Sequence, residues 1–189
     1  MRSGRLVGIG VGPGDPELMT LKAVRAIGEC PVVAFVSAGG RPSLARRIAA
    51  THIGADQREV NIALPMNLHP EIAQAAYDEG ASRITAELEQ GLDVALLCEG
   101  DPLLFGSFIQ FLARIGPRYA CRVIPGVTSV SAAAAAAQMP LVWRQRSLVV
   151  LPATLPVELL EDRLRHAEAA AILKVGRHLE AVRDVLARL

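Results

Sequence analysis

Aromatic side chains make up only 4% of this 189-residue chain, although 51% of it is apolar. A core poor in rings has to be assembled from Ala, Val, Leu and Ile. An excess of either charge is missing as well, with 20 Lys and Arg against 19 Asp and Glu. That balance gives no global field to draw in a nucleic acid, though it leaves room for a local basic pocket for an acidic small molecule. Cysteine is scarce: Cys30, Cys98 and Cys121 are odd in number, far apart and form no CxxC pair. Their spacing argues against a zinc knuckle and a disulfide framework, and a reducing cytoplasm is the expected compartment. Two of them sit in or beside apolar strand-like runs, where cysteine serves as a small buried hydrophobe. His52, His69, His166 and His178 lack metal-ligand spacing, so no metal is expected.

No signal-peptide core can form at the N-terminus, because Pro13, Asp15 and Glu17 interrupt it. The long uncharged stretch from Val123 to Trp143 contains Pro125, Gly126, Pro140 and a run of alanines. It makes a poor membrane span and reads as a loop followed by a soluble helix. Within it, "SAAAAAA" (131–137) predicts a helix packed tightly on a sheet, since alanine favours helix and permits close approach.

What the chain does have is alternation. Apolar, β-branched runs occur at 5–11, 31–36, 58–64, 93–98, 120–124, 147–151 and 170–175, with helical patterns between them. The helices are expected near 17–28, 43–51, 70–90, 106–115, 128–138, 157–167 and 177–188. Continuous apolar strands joined by helices predict an α/β fold with a parallel sheet covered on both faces. "IPGVTS" (124–129) reads as a hinge between a domain at 1–124 and a second at 125–189. The second is thin for an independent domain and ends on a helix, so a truncated second domain is expected.

"GVGPGDPELMTLKA" (10–23) places a glycine-rich turn directly after the first strand. A dinucleotide fingerprint fails there: counted from Gly8 its third glycine would fall on Pro13, and from Gly10 on Asp15. No acid ends the second strand, and no glycine-lysine pair exists for a P-loop. Pro13 stiffens the turn and removes a donor, while Asp15 is placed to cap a helix and would repel a pyrophosphate. Such a loop suits a neutral or cationic ligand; alone, it is equally a tight turn holding nothing. "CEGDPLLFGS" (98–107) repeats the Gly-Asp-Pro pattern after the fourth strand, and "PGVTS" follows the fifth. Glu99 and Asp101 are placed either to hold an ammonium group or ribose hydroxyls, or to form the turn and cap the helix.

These three loops, in this order and spacing, resemble the tetrapyrrole (corrin/porphyrin) methylase family. The resemblance runs through "SAGGRPSLARRIA" (37–49), "ALPMNLHPEIAQAAYDEGASRI" (63–84) and "AILKVGRHLEAV", covering essentially the whole chain. Within the family it is strongest to members that methylate C20 of precorrin-2, with or without cobalt, in cobalamin biosynthesis. It implies a two-domain fold, a homodimer, and S-adenosylmethionine bound bent in a cleft between the domains. By motif, the cofactor-binding residues implied are Pro13, Glu99, Gly100, Asp101, Leu104, Thr128, Ser129 and, in the second domain, Val175. No catalytic base can be named. Uroporphyrinogen methylases carry an aspartate where this chain has Val36, which argues against uroporphyrinogen as substrate. Arg41, Arg46 and Arg47 are candidates to meet substrate carboxylates, or else form a solvated helix face; Lys174 is a weaker candidate. Two other readings stay open: a family member with a different target, or a non-catalytic cofactor-binding piece.

Overall fold

The computed structural model describes residues 3–65 and 70–189. By compactness the chain divides into two units, Met1–Ser129 and Val130–Leu189.

The N-terminal unit follows the alternation read from the sequence. It runs β1 (Leu6–Gly10), α1 (Leu21–Glu29), β2 (Val32–Ala38), α2 (Leu44–Ile48) and β3 (Arg58–Leu64). After these come α3 (Pro70–Glu89), β4 (Val94–Cys98), α4 (Phe108–Ile115) and β5 (Cys121–Ile124). The strands form one sheet in the order β3-β2-β4-β1-β5, with every pairing parallel. Alternate side chains face opposite ways, and both faces are covered. Val7, Ile9, Val33, Phe35, Ala95 and Leu97 pack against Ala23, Ala26 and Ile27 of α1 and Ala45 and Ile48 of α2. On the other face Leu6, Val32, Ala34, Val60, Ile62, Val94, Leu96 and Cys98 meet Ala81, Ile84 and Leu88 of α3 and Phe108, Phe111 and Ile115 of α4. The central strands β1 and β4 are therefore buried along their whole length, whereas the edge strand β3 alternates. The few aromatics are well used: Phe108 is fully buried, and its ring occupies the space a Cβ on Gly8 would need, 2.5 Å away.

Two helices expected as single pieces are broken. The predicted helix at 17–28 is a short 3-10 turn, Pro16–Leu18, followed by α1. Thr20 causes the break: it takes extended backbone, and its Oγ1 accepts from the Ala23 amide at 3.1 Å, making it the N-cap of α1. The stretch at 43–51 likewise divides into α2 and a 3-10 turn, Ala50–His52.

The C-terminal unit contains β6 (Leu148–Pro152), α6 (Val157–Arg165), β7 (Ala169–Leu173) and α7 (Leu179–Arg188), preceded by α5 (Ser129–Ala137). β6 and β7 pair in parallel, and Ala153, Leu160, Leu164, Val182 and Val185 form a small core. The expectation that the alanine run packs tightly on the sheet is wrong, because α5 has no buried residue. A methyl group per residue offers little apolar area with which to hold a helix against a neighbour. No helix among the described residues is long and apolar enough to cross a membrane.

Cys30 and Cys98 lie in the core, and burial pushes both thiols up to about 12; Cys121 is half-buried and raised for the same reason. At pH 8 a thiol of that pKa is ionised to about one part in ten thousand. A chromogenic disulfide reagent should therefore label Cys30 and Cys98 only after denaturation. Rapid reaction of both in the native protein would show that the sheet faces are not packed as described.

Candidate functional site

β1 and β4 lie side by side in parallel, with Gly10 opposite Cys98 at their carboxyl ends. From that shared edge the chain departs in opposite directions. After β1 it crosses to α1 on one face of the sheet, and after β4 to α4 on the other. Where neighbouring connections diverge in this way a crevice opens, and open parallel sheets bind ligands there.

Backbone contacts close the floor of the crevice. The Val11 amide donates to the Cys98 carbonyl at 2.9 Å and the Gly100 amide to the Gly12 carbonyl at 2.8 Å, making an antiparallel bridge between Gly12 and Gly100. Gly12 and Gly100 have φ of +81° and +63°, a left-handed conformation that favours glycine. The loop after β5 presses on the same point. A Cβ on Gly126 would stand 2.1 Å from the Gly100 carbonyl oxygen, and one on Gly10 would stand 2.5 Å from the Gly126 nitrogen. Three strand ends thus meet backbone to backbone, with no room for a side chain.

Asp101 ties these loops together. Its Oδ1 accepts from the Leu103 amide at 2.9 Å, and its Oδ2 accepts from the Gly126 amide at 3.1 Å. The Leu104 amide is also used, donating to the Asp101 carbonyl at 3.3 Å. The amides of Val11, Gly100, Leu103, Leu104 and Gly126 are all spent within the loops.

The rest of the β4 loop is tight and apolar. A Cβ on Gly106 would meet the Pro102 carbonyl oxygen at 2.7 Å, and the preceding Phe105 is held at φ +55°. That region is uncommon for a bulky residue, and strain of this kind gathers at ligand sites. Leu103, Leu104 and Phe105 remain exposed. Glu99 is exposed too, without a hydrogen bond or ion pair among the described residues. Across the sheet edge, Asp15 caps the 3-10 turn by accepting from the Glu17 amide at 2.9 Å, and Pro13 is half-buried between Gly12 and Gly14. Thr128 is half-buried, and Ser129 is exposed at the start of α5.

Of the residues named from the sequence, Pro13, Glu99, Gly100, Asp101, Leu104 and Thr128 fall on loops at the carboxyl edge of this one sheet, and Ser129 opens α5 directly after the β5 loop. Val175 belongs to the C-terminal unit, where it packs against the core around Leu160 and Val182. Lys174 beside it is exposed, at φ +57°. Val36 lies within β2, half-buried against the α3–α4 side. Arg46 is occupied: its guanidinium donates twice to Glu59, at 3.0 and 2.7 Å, which holds the Glu59 carboxyl below the usual range. His52 and His178 end or begin helical turns, His166 follows α6, and His69 lies outside the described residues. No three His, Cys, Asp or Glu among the described residues gather as metal ligands. The sequence reading missed Gly10, Gly126 and Phe105; the signal for the glycines was their place directly after a strand in "IGVG" and "IPG".

Comparisons with known proteins agree on one group. A family model for tetrapyrrole (corrin/porphyrin) methylases matches residues 5–189. The cobalamin biosynthesis protein CobIJ of Mycobacterium tuberculosis is 44% identical over 191 residues. The alignment takes in 97% of this chain, which spans only 38% of that relative's length. A precorrin-2 C(20)-methyltransferase of Sinorhizobium is 38% identical over 192 residues, with 97% of this chain and 78% of the relative covered. Among solved structures, a uroporphyrin-III C-methyltransferase from Thermus thermophilus, complexed with S-adenosyl homocysteine, superposes with a TM-score of 0.67. It is 25% identical, with 97% of this chain and 72% of that one covered.

Proposed function

The chain belongs to the tetrapyrrole (corrin/porphyrin) methylase family, and on that premise we propose that it is a methyltransferase using S-adenosylmethionine to methylate C20 of precorrin-2, or of its cobalt complex, in cobalamin biosynthesis. The observation that carries the reading is the crevice between the β1 and β4 loops, whose floor is bare backbone where three strand ends meet without room for a side chain. The relatives named for C20 methylation supply the position. Val36, at the place where uroporphyrinogen methylases carry an aspartate, supports a precorrin substrate over uroporphyrinogen.

The cofactor supplies a methyl group already activated on a sulfonium, and the electron-rich C20 meso carbon is itself the nucleophile. What remains to the chain is position and the exclusion of water. Gly10 and Gly126 let the three strand ends close on one another, and Gly100, where a Cβ would meet nothing nearer than the Val127 carbonyl oxygen at 3.9 Å, leaves open backbone beside them. Glu99 is free to accept from ribose hydroxyls or an ammonium group, and Leu103, Leu104 and Phe105 offer an apolar wall. Asp101 keeps the β4 loop in register with Gly126. The same reading has the protein acting as a homodimer in the cytoplasm, with the tetrapyrrole as its partner.

Anaerobic incubation with precorrin-2, with and without cobalt, and with methyl-labelled cofactor tests this directly. Mass spectrometry should register one added methyl group, and NMR should place the label on the meso carbon between rings A and D. Label at another carbon, or on uroporphyrinogen, would overturn the C20 assignment.

A further inference from the structure

We propose that Arg41 is the residue of the N-terminal unit that binds a carboxylate of the tetrapyrrole substrate and orients it at the sheet edge. The inference rests on the methylase reading and adds the residue that recognises the substrate's charge. Precorrins are polycarboxylates, and the loops at the carboxyl edge of the sheet are acidic: Asp15 and Glu17 follow β1, and Glu99 and Asp101 follow β4. An anionic macrocycle beside them needs a counter-charge. Among the described residues of the loops that follow the five strands, Arg41 is the one Lys or Arg.

The backbone is shaped to present it. β2 ends at Ala38, next to β4 in the sheet, so its loop leaves the same edge as the β4 loop. Gly39 and Gly40 follow at φ +60° and +71°, and the Arg41 amide closes the turn on the Ala38 carbonyl at 3.2 Å. Two successive left-handed residues need glycine. Pro42 then fixes the chain, and Ser43 is buried as the N-cap of α2. Arg41 is thus carried on a turn held at both ends. Its side chain is exposed and has no hydrogen bond or ion pair among the described residues. Arg46 contrasts with it, since both arms of its guanidinium are bound by Glu59. A free guanidinium fork matches a carboxylate bidentately, which an ammonium cannot do.

The test uses the chain with Arg41→Gln, Arg41→Lys and, as a control, the exposed α1 substitution Arg25→Gln. Two affinities are read: that for the aromatised form of precorrin-2, by absorbance or fluorescence, and that for S-adenosylhomocysteine, by calorimetry. In Arg41→Gln the tetrapyrrole affinity should fall about tenfold, the scale of one charge-assisted bidentate contact, and its salt dependence should flatten. S-adenosylhomocysteine affinity and melting temperature should stay at wild-type values, and Arg41→Lys should recover part of the loss. Unchanged tetrapyrrole affinity in Arg41→Gln, or an equal loss in Arg25→Gln, overturns the proposal. A wild-type chain that takes the tetrapyrrole but no S-adenosylhomocysteine overturns the methylase reading instead, while the tetrapyrrole titration still decides the role of Arg41.

Discussion

Substituting Gly126 by alanine is expected to lower S-adenosylhomocysteine affinity by up to about a hundredfold while the rest of the sheet stays folded. The added Cβ would stand 2.1 Å from the Gly100 carbonyl oxygen and 2.9 Å from the Gly10 Cα. These are backbone atoms, and they cannot yield as the end of a side chain would. Gly100 is held by its bond to Gly12, and Gly126 by its bond to Asp101. Relief must come from separating the β5 loop from the β4 loop, which opens the floor of the crevice. Overpacking of this kind costs about 1–3 kcal/mol even in adaptable cores. The upper end of that range, taken from binding, is about a hundredfold in affinity. Gly28→Ala is the control: that glycine is exposed near the end of α1 with nothing within 4 Å of a new Cβ. It should leave affinity unchanged and raise stability by about 0.5–1 kcal/mol. Wild-type affinity in Gly126→Ala, measured by calorimetry, would show that the three strand ends do not meet as described.

The architecture was legible because its signal is local. The run Arg58–Leu64 spans the same residues in sequence and structure, since "REVNIAL" is bounded by polar residues and a proline. The long pattern of α3 and the apolar runs of β1 and β4 were equally plain. The sheet order was not, because nothing in a run of Val, Leu and Ile says which neighbour it will take. Without that order the adjacency of β1 and β4, and hence the crevice, could only come from the resemblance. α5 was misjudged for a different reason. A run of alanines reports helix propensity, and propensity is silent on burial. The pairing of Arg46 with Glu59 was hidden too, because it joins α2 to β3 across an intervening turn and depends on how α2 docks. The two roles of the Asp101 oxygens were hidden likewise. "GDP" before a helix suggests an aspartate cap, yet the Leu103 bond closes a turn well before α4, whose N-cap is Ser107, and the Gly126 bond exists only once β5 has taken its place.

That second bond sets apart two accounts of why the site needs Asp101. In one, the carboxylate acts by charge on the sulfonium of the bound cofactor. In the other, it acts by holding Gly126 against Gly100, so that the floor of the crevice exists before any ligand arrives. The geometry favours the second, since each oxygen already accepts from a backbone amide. An asparagine cannot replace it fully: one arm of the amide is a donor and must face either the Leu103 or the Gly126 N–H. Hydrogen bonds to a charged group are worth about 1.5–3 kcal/mol, so losing one and opposing two donors should weaken binding about ten- to a hundredfold in Asp101→Asn. The accounts differ in which ligand suffers. S-adenosylmethionine carries the sulfonium charge and S-adenosylhomocysteine does not. If the carboxylate clamps the loops, Asp101→Asn weakens both ligands by the same factor and lowers the melting temperature of the ligand-free chain. If it acts on the sulfonium, S-adenosylmethionine loses most, the homocysteine product is nearly spared, and the ligand-free chain melts as before. Parallel titrations of the two ligands, with the melting temperature of the free protein, should return the first pattern.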